Sequence, residues 1–190
     1  MASGLGRRFG GNKLLAELGG KPLIRWVLDV TEGLFARRVV VTRHPEIEAL
    51  CRRQGVEALL HGLPWRSGTV RLGLEALGPD WKGYAFFPGD QPLLRRETAE
   101  ALVRAMLEEP AYIWRPAWGE EAGAPVLFPR WAYEELTALP EGQGGRTVVR
   151  RHQERVRTLP AQDFELLDAD TPGALQALAQ RLEAGGLDFR

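Results

Sequence analysis

The sequence predicts a three-layer α/β domain built on a mostly parallel sheet. Three observations carry that expectation. Short β-branched or aromatic runs, such as Val39-Val40-Val41 and Tyr84-Ala85-Phe86-Phe87, alternate with helical patterns from Pro22 to Trp114. Such alternation makes βαβ units. The runs are apolar at successive positions, as in strands covered on both faces. No repeat, low-complexity tract or long linker divides the 190 residues, so one domain spanning 1–190 is expected.

The elements follow in order. Pro22 suits the start of a helix through Leu23-Ile24-Arg25-Trp26-Val27-Leu28. Val39 to Val41 is the first buried strand. Pro45 opens a second helix carrying Ile47, Leu50 and Cys51, which ends near Gly55. Val56 to Leu60 reads as a strand, and Ser67 to Leu77 as a helix with Val70, Leu74 and Leu77 on one side. Tyr84 to Phe87 is a strand stopped by Pro88-Gly89, and Arg96 to Glu109 is a long amphipathic helix. Tyr112 to Trp114 and Pro125 to Phe128 are strand-like. Trp131 to Leu139, Arg146 to His152 and Thr171 to Ala184 read as helices. Arg155 to Leu159 and Phe164 to Leu167 read as short strands.

One element is missing. A glycine-rich loop at the amino end should follow an innermost strand, yet it begins at residue one, and Met1 and Ala2 are too few to make one. Either the start lies upstream or the central sheet has a gap. Losing a central strand forfeits several buried side chains worth about 1.5–3 kcal/mol each. Domain stability is only about 5–15 kcal/mol, so an upstream start is favoured.

Composition excludes several classes. Lys plus Arg number 25 and Asp plus Glu number 25, giving zero formal charge. That argues against nucleic acid as the main partner. The single cysteine, Cys51, cannot form an internal disulfide or a zinc cluster, which suits a reducing compartment; it is expected in a helix, half-buried. No membrane-length apolar run or signal peptide is seen, so a cytoplasmic protein without membrane contact is expected.

The candidate chemistry lies where ligands sit in open parallel sheets, just past the carboxyl ends of strands. Residues 1–13 form a loop rich in glycine that contains Arg7 and Arg8 and ends on Asn12, the only asparagine, and Lys13, one of three lysines. Glycines let a backbone approach a ligand, and successive N–H groups form anion-binding nests. Arg8 and Lys13 add the charge a triphosphate needs. By itself the stretch reads equally as a flexible basic tail. Asp90 follows the third strand within Gly89-Asp90-Gln91-Pro92. Mg²⁺ is commonly held by one or two carboxylates plus substrate phosphates, and Asp90 fits that role. Asp168 is a candidate second metal ligand, whereas Asp170 or Thr171, beside Pro172, suits a helix cap. Ser67, after the loop that begins at Gly62, reads as a helix cap or as a contact to base, ribose or phosphate. His44, His61 and His152 share no metal spacing and read as surface or capping residues. Trp114 and Trp118 read as core, with a flat-ligand wall as the alternative.

Taken together, the motifs resemble those of the MobA-like nucleotidyltransferase family. The opening resembles its L-A-A-G-x-x-x-R-x-G-x-x-K signature through Ala2, Gly4, Arg8, Gly10 and Lys13. Gly62, Ser67, Gly73 and Leu74 match a second segment, and Gly89-Asp90-Gln91-Pro92-Leu93 a third. Gly123-Ala124-Pro125-Val126-Leu127-Phe128, Gly144-Gly145-Arg146 and Asp168-Ala169-Asp170-Thr171-Pro172 complete the order. Within the family the likeness is greatest to the molybdenum cofactor cytidylyltransferase branch. The resemblance implies a three-layer Rossmann-like nucleotidyltransferase fold. It also implies transfer of CMP from CTP to molybdopterin with Mg²⁺ and release of pyrophosphate, and docking to a molybdenum hydroxylase. It assigns nucleotide contacts to Ala2, Ser3, Gly4, Leu5, Gly6, Arg8, Lys13, Gly62, Ser67 and Asp90, catalysis to Arg8, Lys13 and Asp90, and metal to Asp90 and Asp168. Ser3 stands where the cytidylyl and guanylyl branches differ and matches neither, so GTP stays an alternative. Gly142 replaces an aspartate of the family pattern. Transfer to a sugar phosphate, and a non-catalytic cofactor carrier, are the other readings.

Overall fold

The computed structural model describes residues 2–4, 9 and 11–184. Leu5, Gly6, Arg8 and Gly10 lie outside the described residues. Asn12 caps a 3₁₀ turn at Lys13–Leu15. A tight hairpin of β1 (Glu17–Leu18) and β2 (Lys21–Pro22) then leads into α1 (Leu23–Val30). β3 (Val39–Thr42), α2 (Pro45–Arg53), β4 (Glu57–Leu60), α3 (Arg66–Leu77), β5 (Gly83–Phe86) and α4 (Arg96–Glu108) follow in alternation. Next come β6 (Ile113–Trp118), β7 (Glu121–Ala122), β8 (Val126–Pro129), α5 (Tyr133–Thr137), α6 (Gly145–Arg151), β9 (Val156–Pro160) and α7 (Pro172–Ala184).

Apart from the β1–β2 hairpin, the strands fall into two sheets. β3 and β4 pair in parallel, Val39 opposite Glu57. The larger half has the order β5-β8-β6-β7, with β9 on β6. β8 runs against both β5 and β6, while β9 runs parallel to β6. So β5, β6 and β9 share one direction, and β8 and the short β7 hairpin strand are reversed. The expected α/β architecture with a mainly parallel sheet therefore stands.

Strand alternation builds the three layers. Trp114 and Leu127 pack on Leu102 and Met106 of α4. Their neighbours Ile113 and Phe128 point the other way, onto Val70 and Leu74 of α3 and Leu136 of α5. In the smaller half, Val40 packs on Ile24 and Leu28 of α1 and Ile47 of α2. Val30 of α1 meets Ala99 of α4, so α1, α2 and α4 lie on one face. α3, α5 and α6 lie on the other. Cys51 is fully buried in α2, and burial pushes its thiol up to about 11.

Two expectations change. Residues 164–167 are not a strand: Asp163–Leu166 is a 3₁₀ turn held by a reciprocal capping box between Gln162 and Glu165. The buried Glu165 carboxylate also accepts the backbone N–H of Arg95 (3.0 Å), so local capping and that long-range bond defeat the period-two pattern. Trp118 is neither core nor pocket wall but 52% exposed, whereas Trp114 is buried. Ala2 makes a single parallel bridge to Thr42 rather than a strand, and its N–H donates to the Val41 carbonyl (3.1 Å).

Candidate active site

A cleft of about 950 Å³ opens at the carboxyl ends of the strands, a size that suits a small-molecule ligand. Residues that follow β3 (Arg43) and β5 (Pro88, Asp90), together with Ala2, Ser3 and Gly4, reach it. The sheet's direction thus gathers side chains distant in sequence.

One wall carries carboxylates around a lysine. Asn12 accepts the Leu14 N–H (3.3 Å) and so fixes the turn from which Lys13 projects. The Lys13 ammonium donates to Asp90 and to Asp170, the latter at 2.7 Å. Burial works against the charge on Lys13, but the two carboxylates outweigh it and hold the ammonium above its ordinary pKa. Backbone bonds fasten the two aspartate segments together. Ala169 N–H donates to the Asp90 carbonyl (2.9 Å), and Gln91 Nε2 donates to the Leu166 carbonyl (3.3 Å). Ala169 is fully buried against Leu93 and Leu178. Asp168 stands beside this pair. Its side chain keeps solvent contact, yet the crowding of the cleft around it and the neighbouring Asp90 and Asp170 charges raise its pKa, against a hydrogen bond from Gln91 and the Lys13 charge. Among the described residues, the carboxylates of Asp90, Asp168 and Asp170 thus gather around the Lys13 ammonium.

The opposite wall is basic. Arg115 is held by the carbonyls of Gly123 (2.9 Å) and Ala122 (2.8 Å). Burial and the nearby Arg146 lower its pKa. Arg146 sits in the first turn of α6, and Arg66 in the first turn of α3. Gly144 lies close to Arg66: a Cβ there would stand 2.8 Å from Arg66 Cδ. Among the described residues, none of the three guanidiniums pairs with a carboxylate. Trp65, 48% exposed, borders the same cleft.

The amino end is tied down by a chain of polar contacts. Ser3 Oγ donates to the Val41 carbonyl (2.9 Å) and lies 2.7 Å from His61 Nε2. His61 Nδ1 accepts the Leu63 N–H (3.0 Å). A hydroxyl has one proton to give, so these bonds require the neutral His61 tautomer with hydrogen on Nε2. Burial, Arg43 and His44 lower the His61 pKa in agreement. His44 Nε2 donates to the Gly4 carbonyl (2.9 Å).

Of the predicted site residues, Ala2, Ser3, Gly4, Lys13, Asp90 and Asp168 meet in the cleft. Leu5, Gly6 and Arg8 lie outside the described residues. Gly62 and Ser67 are not among the cleft-lining residues; Ser67 is buried one position inside the start of α3, not at its cap. Thr171, not Asp170, caps α7, accepting the Ala174 N–H (3.1 Å). Asp170 instead binds Lys13. Arg43, Trp65, Arg66, Thr69 and Arg115 were not anticipated. For Arg66 and Arg115 the signal was faint: an arginine in an exposed loop or strand carries no pattern of its own. Among the described residues no group of three or more His, Cys, Asp or Glu could hold a metal.

The sequence profile described as the MobA-like NTP transferase domain matches residues 1–156. The chain belongs to that family. The Asp168–Asp170 segment lies beyond the matched stretch. The chain is 36% identical over 99 residues to a 3-deoxy-manno-octulosonate cytidylyltransferase from Neisseria meningitidis, covering 48% of this chain and 39% of that protein. It thus spans about two fifths of the length of such curated relatives. Among solved structures it is similar to Rv0371c from Mycobacterium tuberculosis, with a TM-score of 0.81 and 22% identity over 94% of this chain and 95% of that one. Rv0371c has also been solved with manganese. The molybdopterin-guanine dinucleotide biosynthesis protein A of Archaeoglobus fulgidus is similar at a TM-score of 0.72 and 20% identity, over 96% of each chain. These structural likenesses establish the fold. Gly142 takes a left-handed conformation, φ 75°, which favours glycine.

Proposed function

We propose that this MobA-like domain transfers a nucleotidyl group, CMP from CTP, to the phosphate of molybdopterin. The observation that carries the reading is one cleft with Lys13 among Asp90, Asp168 and Asp170 on one side and Arg66, Arg115 and Arg146 on the other. An acceptor phosphate oxygen attacks the α-phosphorus of the triphosphate. The α–β phosphoanhydride bond breaks, and pyrophosphate leaves with that bond's electron pair. Both reactants are anions, so positioning and charge neutralisation supply the rate, and no protein nucleophile is needed.

Each wall has a part in this reading. Lys13 would balance charge on the triphosphate and on departing pyrophosphate, helped by Arg8 and the N–H groups of the glycine loop. The carboxylates of Asp90 and Asp168 fit a hard divalent cation such as Mg²⁺. Two carboxylates plus phosphate oxygens form a usual donor set, and like charge at Asp168 is what a cation relieves. Such an ion would supply Lewis-acid polarisation of phosphate oxygens. Arg115 and Arg146 would bind the acceptor phosphate, since guanidiniums without a carboxylate partner recognise phosphate in two-point fashion. Ala2, Ser3 and Gly4 would place the nucleoside, and Trp65 offers a ring face to the base.

The identity to octulosonate cytidylyltransferases supports a second acceptor, an acidic sugar, with the same donor CTP. Pyrophosphate release with Mg²⁺, measured for CTP and GTP against molybdopterin and against the octulosonate, decides between them. Release only with CTP and molybdopterin supports the first reading, and release only with the sugar acid replaces it. No release from any pair ends the catalytic reading and leaves a cofactor carrier, which would still bind molybdopterin and dock to a molybdenum hydroxylase.

A further inference from the structure

Leu63 lies in the connection between β4 and α3, and side chains hold both of its backbone polar groups. Its N–H donates to His61 Nδ1 (3.0 Å), and its carbonyl accepts from Arg43 Nη2 (2.8 Å). Its side chain rests against Gly68 of α3, where a Cβ would stand 3.3 Å from Leu63 Cδ1. Both hydrogen bonds are exposed to solvent. Segments held by few and exposed bonds open at the low end of local stability, so each bond at Leu63 counts.

Trp65 stands two residues further on. Pro64 lies between, with φ fixed by its ring and no N–H to give, so a shift at Leu63 passes to Trp65 with little slack. On its other side Trp65 is set by α3: its carbonyl accepts from the Thr69 N–H and from Thr69 Oγ1, both at 3.3 Å. The backbone is thus tied before and after an indole that is 48% exposed and borders the cleft. An aromatic ring fixed in that way offers a stacking face to a flat ligand.

Arg43 is the distant part of this hold. It follows β3 directly, twenty residues before Leu63. Its guanidinium grips a neutral carbonyl, and its Nε is buried with no hydrogen-bond partner among the described residues. Arg43 and Trp65 border the same cleft. The bond to Leu63 therefore links the end of β3 to the start of α3 across the cleft rim.

We propose that Arg43 is a positioning residue for the nucleoside: through Leu63 it sets residues 62–65 so that Trp65 stands against the base. This rests on the reading that Trp65 meets the base. The guanidinium acts on the loop and not on the ligand.

The test uses the 190-residue chain with Arg43→Met, Arg43→Lys, Trp65→Ala and the Arg43→Met/Trp65→Ala double variant. Amide hydrogen exchange comes first, without nucleotide. Exchange at Leu63 should quicken about fivefold or more in Arg43→Met and less in Arg43→Lys, which keeps a donor, while Leu102 stays unchanged. Unchanged exchange at Leu63 in both Arg43 variants overturns the proposal, whether or not a nucleotide binds. Calorimetry with CTP and Mg²⁺ follows. Arg43→Met and Trp65→Ala should each weaken CTP about tenfold, and the double variant should bind no more weakly than Trp65→Ala alone. Additive losses, about a hundredfold in the double variant, would mean that Arg43 touches the ligand directly and would overturn the positioning role. An unchanged Kd in Arg43→Met, with Trp65→Ala weakened, overturns this proposal alone. An unchanged Kd in Trp65→Ala overturns the base-wall reading together with it.

Discussion

The two walls of the cleft are charged in opposite ways and are built differently. On the acidic wall, Lys13 is locked between Asp90 and Asp170, and the aspartate segments are bonded to each other through Ala169 and Gln91. On the basic wall, Arg66 and Arg146 are exposed and Arg115 rests on neutral carbonyls. Internal pairing makes the first wall a frame, with Asp90 and Asp170 bonded to one ammonium. On the second wall no described carboxylate pairs with the three guanidiniums, which in the proposed reading leaves them to an anion. The difference separates positioning from recognition.

The largest effect should come from removing the frame's central carboxylate. Asp90→Ala is expected to cut pyrophosphate release about a thousandfold or more while circular dichroism stays unchanged. Full activity would remove Asp90 from the metal role. Next in size, Lys13→Ala leaves three carboxylates without their ammonium. Triphosphate affinity should fall about a hundredfold, read by titration calorimetry, and an unchanged Kd would count against the proposed role of Lys13. Arg146→Ala tests the receptor wall. It should raise the acceptor KM about tenfold, the worth of one charge-assisted contact, and leave CTP affinity alone. A loss of CTP affinity instead would assign that wall to the nucleotide.

Asp168 sharpens the contrast because stability and activity should move in opposite directions. Its pKa is raised in the folded state, so its ionised form is disfavoured by folding: the stability it contributes is present at low pH and lost as pH rises through that raised value. At neutral pH, without divalent cation, Asp168→Asn should therefore raise Tm while lowering turnover. A lower Tm would mean that Asp168 holds the frame together rather than waiting for a cation.

Much of this arrangement was legible in the sequence, and the unread part has physical causes. Alternating apolar runs placed the main strands and helices, because burial on two faces leaves a continuous pattern at Val39–Val41 and Tyr84–Phe86. Asp90 and Lys13 were legible because each follows a turn-forming motif at the sheet's ligand edge. The Asp163–Leu166 turn was not, since Glu165 is decided by a bond to Arg95, seventy residues away. Arg66 and Arg115 were invisible for a related reason: they matter through a shared cleft that only the tertiary fold creates.

The smallest expected effect concerns the amino end of the chain, where Ser3 and Gly4 reach the cleft. His61 is held neutral, with Nδ1 accepting the Leu63 N–H and Nε2 facing the Ser3 hydroxyl. Its folded-state pKa lies below the ordinary 6.5. A histidine so depressed adds stability that is complete above pH 6.5 and declines as pH falls through and below that value, because the unfolded chain takes up the proton first. Protonation of Nδ1 would also turn the acceptor for Leu63 into a donor facing a donor. Mild acid should therefore loosen Ser3 and Gly4 before the core melts. Amide exchange at Leu63 should quicken, relative to core amides such as Leu102, as pH falls below the ordinary histidine value of 6.5. His61→Gln keeps an acceptor and a donor but does not titrate, so it should remove that pH dependence; a profile that persists in the variant would place the titrating group elsewhere.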